Sequence, residues 1–387
     1  MVEHRSACNM AEDLRRTYQL GPDSRVLQFA SCGFDASLFD FMLALSSGGQ
    51  LCLAPPSASL PGAELAEFMR RERITAAGLT PTAWASLPAT DLPDLTTIKS
   101  GGEPLPSSLI ERWGENRRIF NSYGPTETTV YCIRTEVKAN GKKPPIGRPA
   151  INTKAYILDR YGAPVPVGAA GELYISGVGL ARGYLNRDEL TRELFRPNPF
   201  DDEPQSRLYR TGDQARYRSD GTIEFLGRKD EQVKIRGMRV ELAEIEQCLM
   251  EHENVTACCV TLKDYPNENT KLTAYVVGRG VSSGNADDLR AFMRALLPSH
   301  MIPSQFVFLP QLPTNHSGKI DRRALPEPRR NSRPNAPVLP KIRLETELAD
   351  IWKDVLMLDS VGAEDNFFEI GGDSSLLSRF RRSSTHA

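Results

Sequence analysis

The chain has 387 residues, room for two or three domains of about 100–200 residues each, with 40% hydrophobic and 25% charged residues, as in an ordinary globular protein. Its formal net charge of −1 leaves no electrostatic footprint for nucleic acid or an anionic membrane surface. No apolar run approaches the roughly 18 residues of a transmembrane helix, and MVEHRSACNM lacks the apolar stretch of a secretory signal.

The first two-thirds alternates strand-like and helix-like segments, which predicts an α/β domain. RVLQFAS and QLCLAPP read as buried strands, and GAELAEFMRRERI sets Leu65, Phe68 and Met69 on one helical face. TTIKSGG is a further strand, and PSSLIERW opens a helix behind Pro106. Around 205–226 the pattern becomes hairpin-like, with Asp220-Gly221 as a turn. A smaller α+β unit follows, with helices in ELAEIEQCLMEHENV and ADDLRAFMRALLP and strands in TACCVTLKD, KLTAYVVG and SQFVFLP. Pro326, Pro328, Pro334, Pro337 and Pro340 make an extended linker. Beyond it, LETELADIWKDVLML places Leu344, Leu348, Ile351, Trp352 and Val355 at helical spacing. The seven cysteines show no Cys-x-x-Cys and read as reduced thiols in a cytoplasm-like compartment.

Several stretches carry chemistry. NSYGPTETT (121–129) gathers hydroxyls and a carboxylate around Gly124-Pro125; GELYISGVGLARGYL (171–185) runs a strand into a glycine-rich turn; YRTGD (209–213) ends on an acid; GRKDEQVKIRGMRVELAEIE (227–246) is densely charged. Each alone also fits a plain turn or a solvated face. With FDAS (34–37), LPSHMIP (297–303), SGKIDR (317–322) and DNFFEIGGDS (365–374) in the same order, the chain resembles the amino-acid adenylation domains of nonribosomal peptide synthetases, within the adenylate-forming, AMP-binding superfamily. Its end resembles the start of a peptidyl carrier domain.

The resemblance implies a domain plan: the C-terminal part of a large α/β adenylation subdomain at 1–229, a small mobile α+β subdomain at 230–325, a linker at 326–343, and an incomplete all-α carrier segment at 344–387. It implies an ATP-dependent ligase that joins a carboxylate to AMP and passes the acyl group to a thiol. Cofactors would be ATP, Mg²⁺ and a 4′-phosphopantetheine arm on Ser374, a serine after a Gly-Gly turn that could equally cap a helix. Glu127 would bind Mg²⁺, a hard cation suited to oxygen. Asn121, Tyr123, Gly124 and Thr126 would meet the nucleotide, Tyr123 against adenine and Thr126 at the phosphates. Asp213 would accept from the ribose hydroxyls with Arg228 beside it. Lys319 would serve adenylation and Lys234 thiol transfer, exchanging through a hinge at Asp230.

Asp35 matches an acid that pairs with the substrate α-ammonium, which implies an amino acid as substrate. Ala36, Phe39, Gly78, Lys99, Gly101, Ser122, Val130 and Tyr131 would line the side-chain pocket. Lys99 is the unusual member. It would meet a polar substrate side chain, acidic or amide, or else run its stem out to solvent. Partners would be the carrier and neighbouring synthetase domains, with no nucleic acid and no membrane. The family's Ser/Thr/Gly-rich phosphate loop has no counterpart here, so roughly 200 residues of the large subdomain are expected to be missing upstream. The chain alone is therefore expected to be inactive. Two other readings stay open: a non-catalytic remnant or interaction fragment of a synthetase, and a relative of acyl-CoA ligases.

Overall fold

The strands read in RVLQFAS, QLCLAPP and TTIKSGG fall in one sheet, together with four that the sequence reading did not name. β1 (Arg25–Gln28), β2 (Gln50–Leu53), β3 (Ala76–Leu79), β4 (Thr97–Gly101) and β5 (Arg118–Tyr123) are parallel; β6 (Ile133–Val137) and β7 (Arg148–Pro149) extend it antiparallel. The order is β2-β1-β3-β4-β5-β6-β7. This is a computed structural model; it describes residues 1–88, 91–228, 233–235, 238–263, 271–278, 286–314, 320–327, 340, 342–356, 361–363 and 365. The chain divides into two units, Met1–Asp230 and Glu231–Ala387.

Both faces of the parallel sheet are covered, as its apolar strands require. α3 (Ala63–Arg71), α4 (Pro81–Ser86) and α5 (Ser107–Trp113) pack Leu65, Met69, Trp84, Leu109 and Trp113 around Ile98 and Ile119. α1 (His4–Tyr18) and α2 (Ala36–Ser46) pack Leu14, Tyr18, Phe39 and Leu43 around Val26 and Phe120. Ile119 and Phe120 fall to opposite cores because successive strand residues point to opposite faces. The amphipathic reading of α3 holds: Leu65, Phe68 and Met69 are all buried.

A second, antiparallel sheet completes the larger unit. β8 (Thr153–Leu158), β9 (Gly171–Gly177), β10 (Phe195–Pro197) and β11 (Arg207–Tyr217) take the order β10-β11-β9-β8, and β12 (Ile223–Arg228) pairs with β11 through the Asp220-Gly221 turn; α6 (Asp188–Leu194) precedes β10.

The smaller unit holds a two-stranded ribbon, β13 (Val233–Ile235) and β14 (Met238–Val240), and a sheet of β15 (Val255–Lys263), β16 (Lys271–Gly278) and β17 (Gln305–Phe308). α7 (Leu242–Met250) and α8 (Ala286–Arg294) cover that sheet, burying Ile245, Leu249, Leu289 and Met293 against Val260, Leu272 and Ala274. α9 (Arg343–Leu356) follows the linker. The larger unit is thus α/β and the smaller α+β. Cys8 and Cys32 are exposed and the other cysteines buried, all as free thiols. Among the described residues no helix is long and apolar enough to cross a membrane.

Candidate functional site

The C-terminal ends of parallel strands are where open α/β sheets bind ligands, and Gly78, Gly101, Ser122, Tyr123 and Glu127 lie at or just beyond them. β5 runs into Gly124, where a Cβ would lie 2.3 Å from the Tyr131 Cα, so only glycine fits. A single 3₁₀ turn, Thr126–Thr128, follows. Thr129 and Val130 then both take left-handed backbone, φ 62° and 68°. This is strained for a β-branched side chain. Thr129 Oγ1 donates to the Gly179 carbonyl at 2.7 Å, and the Tyr131 N–H donates to the Thr129 carbonyl at 2.8 Å, which holds the turn in place.

This turn folds Glu127 inward, leaving it 7% exposed. Its Oε1 accepts from the Tyr184 hydroxyl at 2.5 Å, and its carbonyl accepts from the Ala181 N–H at 2.8 Å. Burial, then the neighbouring Tyr209 and Glu127, push the Tyr184 phenol well above its usual range, so it remains a donor. Thr126 stays exposed at the tip of the turn.

Asp213 lies in a register break of β11: Arg210 pairs with Tyr174 and Gln214 with Glu172, leaving Thr211, Gly212 and Asp213 opposite Leu173. Such bulges re-aim side chains, and Gly212 takes φ 76° there. Across the β11–β12 ladder Asp213 faces Arg228, whose Nη1 donates to Oδ1 at 2.7 Å. The Tyr123 hydroxyl donates to Oδ2, and the Asp213 N–H donates to Thr211 Oγ1 at 3.0 Å. Burial, and next the charge of Asp213, hold the Tyr123 phenol far above its usual range. Asn121 turns aside, donating from Nδ2 to the Pro145 carbonyl at 2.7 Å.

The donor set suits a nucleotide and magnesium. A carboxylate oxygen with one donor keeps a second lone pair for a hydroxyl. Among the described residues no three His, Cys, Asp or Glu groups form a metal cage. A single buried carboxylate such as Glu127 fits magnesium, which takes its other ligands from phosphates and water.

A second group of residues meets on the sheet face below α2. Pairing of Gly78 with Lys99, Lys99 with Phe120 and Gly101 with Ser122 puts all five on one face. Lys99 Nζ sits 4.8 Å from the Phe39 ring centroid, a cation–π contact. A Cβ on Gly78 would be 3.4 Å from Lys99 Cδ and one on Gly101 3.5 Å from Lys99 Cε, so the lysine stem lies across both glycines. β4 is a central strand, which leaves no sheet edge for that stem. Tyr131 packs edge-on against Phe39 at 5.9 Å, but its hydroxyl turns away and donates to Asp13 Oδ2 at 2.6 Å. Val130 is half-buried, and Asp35 and Ala36 begin α2, one turn before Phe39. Asp230, Lys319 and Ser374 lie outside the described residues, as does the Lys234 side chain, whose backbone belongs to β13.

Sequence reasoning passed over Asp40 and Asp13. Asp40 is 2% exposed; its Oδ2 accepts from the Phe29 and Ala30 N–H groups at 3.2 and 3.3 Å, and its Oδ1 would touch a Cβ on Gly78 at 3.3 Å. Burial pushes its carboxyl up to about 7, with the Phe29 N–H and the Lys99 charge pulling it back. An acid inside the apolar run LFDFML was the available signal. Asp13, 1% exposed, takes both arms of Arg134 at 2.7 Å and the Ile151 N–H at 3.0 Å, beside the Tyr131 hydroxyl. Burial opposes its charge, but these donors outweigh it and hold the carboxyl below its usual range. The ionic neighbours in AEDLRRTY gave no sign of this.

Residues 1–185 match the AMP-binding enzyme family, residues 244–319 the AMP-binding enzyme C-terminal domain, and residues 346–383, which include Ser374, the phosphopantetheine attachment site. The chain is 44% identical over 381 residues to a linear gramicidin synthase of Brevibacillus parabrevis, covering 98% of this chain and 8% of that protein. It is 41% identical over 382 residues to the phosphinothricin tripeptide synthetase PhsC of Streptomyces viridochromogenes, covering 98% of this chain and 35% of that one. The chain thus spans a small part of the curated relatives it matches. Among solved structures it is similar to holo-PA1221, an NRPS protein containing adenylation and PCP domains bound to a vinylsulfonamide inhibitor (28% identity, TM-score 0.75, covering 95% of this chain and 62% of that one). It is also similar to the Vibrio cholerae adenylation domain AlmE in complex with glycyl-adenosine-5′-phosphate (27% identity, TM-score 0.73, covering 82% and 61%).

Proposed function

We propose, for a chain that belongs to the AMP-binding enzyme family in its nonribosomal peptide synthetase branch, that it serves as part of a unit that activates an amino acid as the adenylate and passes it to a phosphopantetheine thiol. The observation that carries this reading is the buried Asp213, gripped by Tyr123 and Arg228, with Glu127 on the turn just beyond Tyr123. A carboxylate of the amino acid attacks the α-phosphorus of ATP and pyrophosphate leaves. The thiol then attacks the acyl carbon and AMP leaves. Neither step needs a covalent bond to the adenylation residues; both need anions held together and growing charge neutralised.

The residues divide that work. Asp213 accepts from the ribose hydroxyls, and Arg228 orients it. The Tyr123 ring flanks the adenine, and the Thr126 hydroxyl at the exposed tip reaches the phosphates. Glu127, fixed by Tyr184, holds magnesium, which when bound neutralises phosphate charge. Asp35 meets the substrate ammonium, and Ala36, Phe39, Gly78, Lys99, Gly101, Ser122, Val130 and Tyr131 surround its side chain. Lys319 and Lys234 serve the two half-reactions in turn about Asp230, and Ser374 carries the arm. The segments 1–229, 230–325, 326–343 and 344–387 are the corresponding large subdomain, small subdomain, linker and carrier portion. The partners are the carrier and neighbouring synthetase domains. AMP binding by calorimetry tests the reading. Hydrogen bonds to a charged group contribute about 1.5–3 kcal/mol, so Asp213→Ala should weaken AMP by roughly ten- to a hundredfold. No AMP binding, or binding indifferent to Asp213→Ala, removes the proposal.

A further inference from the structure

We infer that the side-chain pocket selects a neutral amide amino acid, asparagine or glutamine, over both acidic and aliphatic ones, because Asp40 of α2 faces Lys99 of β4 across Gly78. This rests on the reading of the chain as amino-acid-activating. On sequence alone Lys99 could meet an acidic or an amide side chain, with nothing to choose between them. The structure gives it an acidic neighbour. Asp40 Oδ1 and Lys99 Cδ approach the same point above Gly78, at 3.3 and 3.4 Å, while the second oxygen of Asp40 is engaged by two backbone N–H groups. Lys99 is further held over the Phe39 ring.

Above about pH 7, where Asp40 is ionised, the wall therefore offers an N–H donor and a carboxylate acceptor side by side, with their charges compensating. A substrate carboxylate gains little from an ammonium already balanced and is repelled by Asp40. An aliphatic side chain strips water from both charges and returns no hydrogen bond, the kind of mismatch by which polar sites reject apolar analogues. An amide answers both groups: its carbonyl accepts from Lys99 and its NH₂ faces Asp40. The floor behind them is polar too. The hydroxyls of Tyr18 and Ser122 are buried there beside each other.

The test is calorimetric binding at pH 8 to the full chain of non-hydrolysable aminoacyl-sulfamoyl adenosines bearing asparagine, glutamine, aspartate, glutamate and leucine side chains, with AMP as reference. One amide analogue should bind about tenfold or more tighter than its acidic counterpart and the leucyl analogue, as expected for one charge-assisted hydrogen bond. The near-isosteric Asp40→Asn, checked for folding by circular dichroism, should move the preference towards the acidic analogue by a similar factor. If AMP itself does not bind, the functional reading fails and this inference with it. If AMP binds but the acidic or leucyl analogues bind as tightly as the amides, or no analogue binds, this inference alone is overturned.

Discussion

Two buried aspartates in the larger unit are equally hidden from water and have opposite acidities. Asp13, at the α1–β6 junction, is held below the usual carboxylate range; Asp40, between α2 and the sheet, is pushed up to about 7. Desolvation is the first influence on both and acts in the same direction. The donors differ. Asp13 receives a bidentate guanidinium, a phenol and an amide N–H, whereas Asp40 receives two longer amide contacts and the attraction of Lys99. Closure to solvent alone therefore does not say whether an acid is ionised; Asp40 is packed more deeply than Asp13, and that depth together with the number and charge of the donors decides. The clamp at Asp13 fixes Tyr131 beside Phe39, and Asp40 is left with looser contacts.

The strongest way to break this contrast is to make Asp13 resemble Asp40. Arg134→Met strands a buried carboxylate, and removal of one partner of a buried pair typically destabilises by about 3–5 kcal/mol. Urea unfolding should register that loss, and a change below about 1 kcal/mol would show the clamp to be incidental. A pH series sharpens the contrast. Asp13 has a depressed folded pKa, so its stabilisation is present above the ordinary carboxylate value of 3.8 and is lost as pH falls through the folded value. Asp40 has a raised one. Between about 4 and 7 the folded state keeps a proton that the unfolded state has released, so stability declines as pH rises through that window. Asp40→Asn has no such proton. Its stability relative to the parent should therefore increase between pH 5 and pH 8, by about 2–3 kcal/mol given ~1.4 kcal/mol per pKa unit; a constant difference would contradict the assignment. The smallest effect is expected at the end of α1. Gln19 is an exposed C-cap in left-handed conformation, φ 53°, directly after Tyr18. Gln19→Gly should stabilise by about 1 kcal/mol or less, tightening the helix that carries Asp13, as thermal unfolding would show.

Much of the fold could be read from the residues because its strands are short apolar runs bounded by turn formers, as in TTIKSGG, and its outer helices have one apolar stripe, as in α3. α2 escaped because ASLFDFMLALS is apolar around most of its circumference, so no stripe stands out. α1 escaped for the converse reason: its acids and arginines resemble a solvated face, though one of the acids is fully buried. In the site, Tyr123, Glu127, Asp213 and Arg228 were each named from their motifs, but their contacts were not. The cross-strand meeting of Asp213 and Arg228 was nearly within reach: the register at the turn, Tyr217 with Ile223, continued outward would set Asp213 opposite Gly227, and a bulge at Gln214/Ala215 moves it one residue on to Arg228. The Tyr123 contact to Asp213 spans 90 residues, and no local pattern encodes it. The same holds for Asp40 and Lys99, which are joined only by the packing of α2 on the sheet.

The clamp at Asp13 also sets a clock. Its partners are Tyr131, Arg134 and Ile151, the last 138 residues downstream. At about 5–20 residues per second of synthesis, roughly 7–28 s separate the emergence of α1 from that of its final ligand. Through that interval Met10, Leu14 and Tyr18 have no finished sheet to cover. α1 is thus secured long after it is made, and through that interval its apolar stripe stays open to a chaperone or a protease.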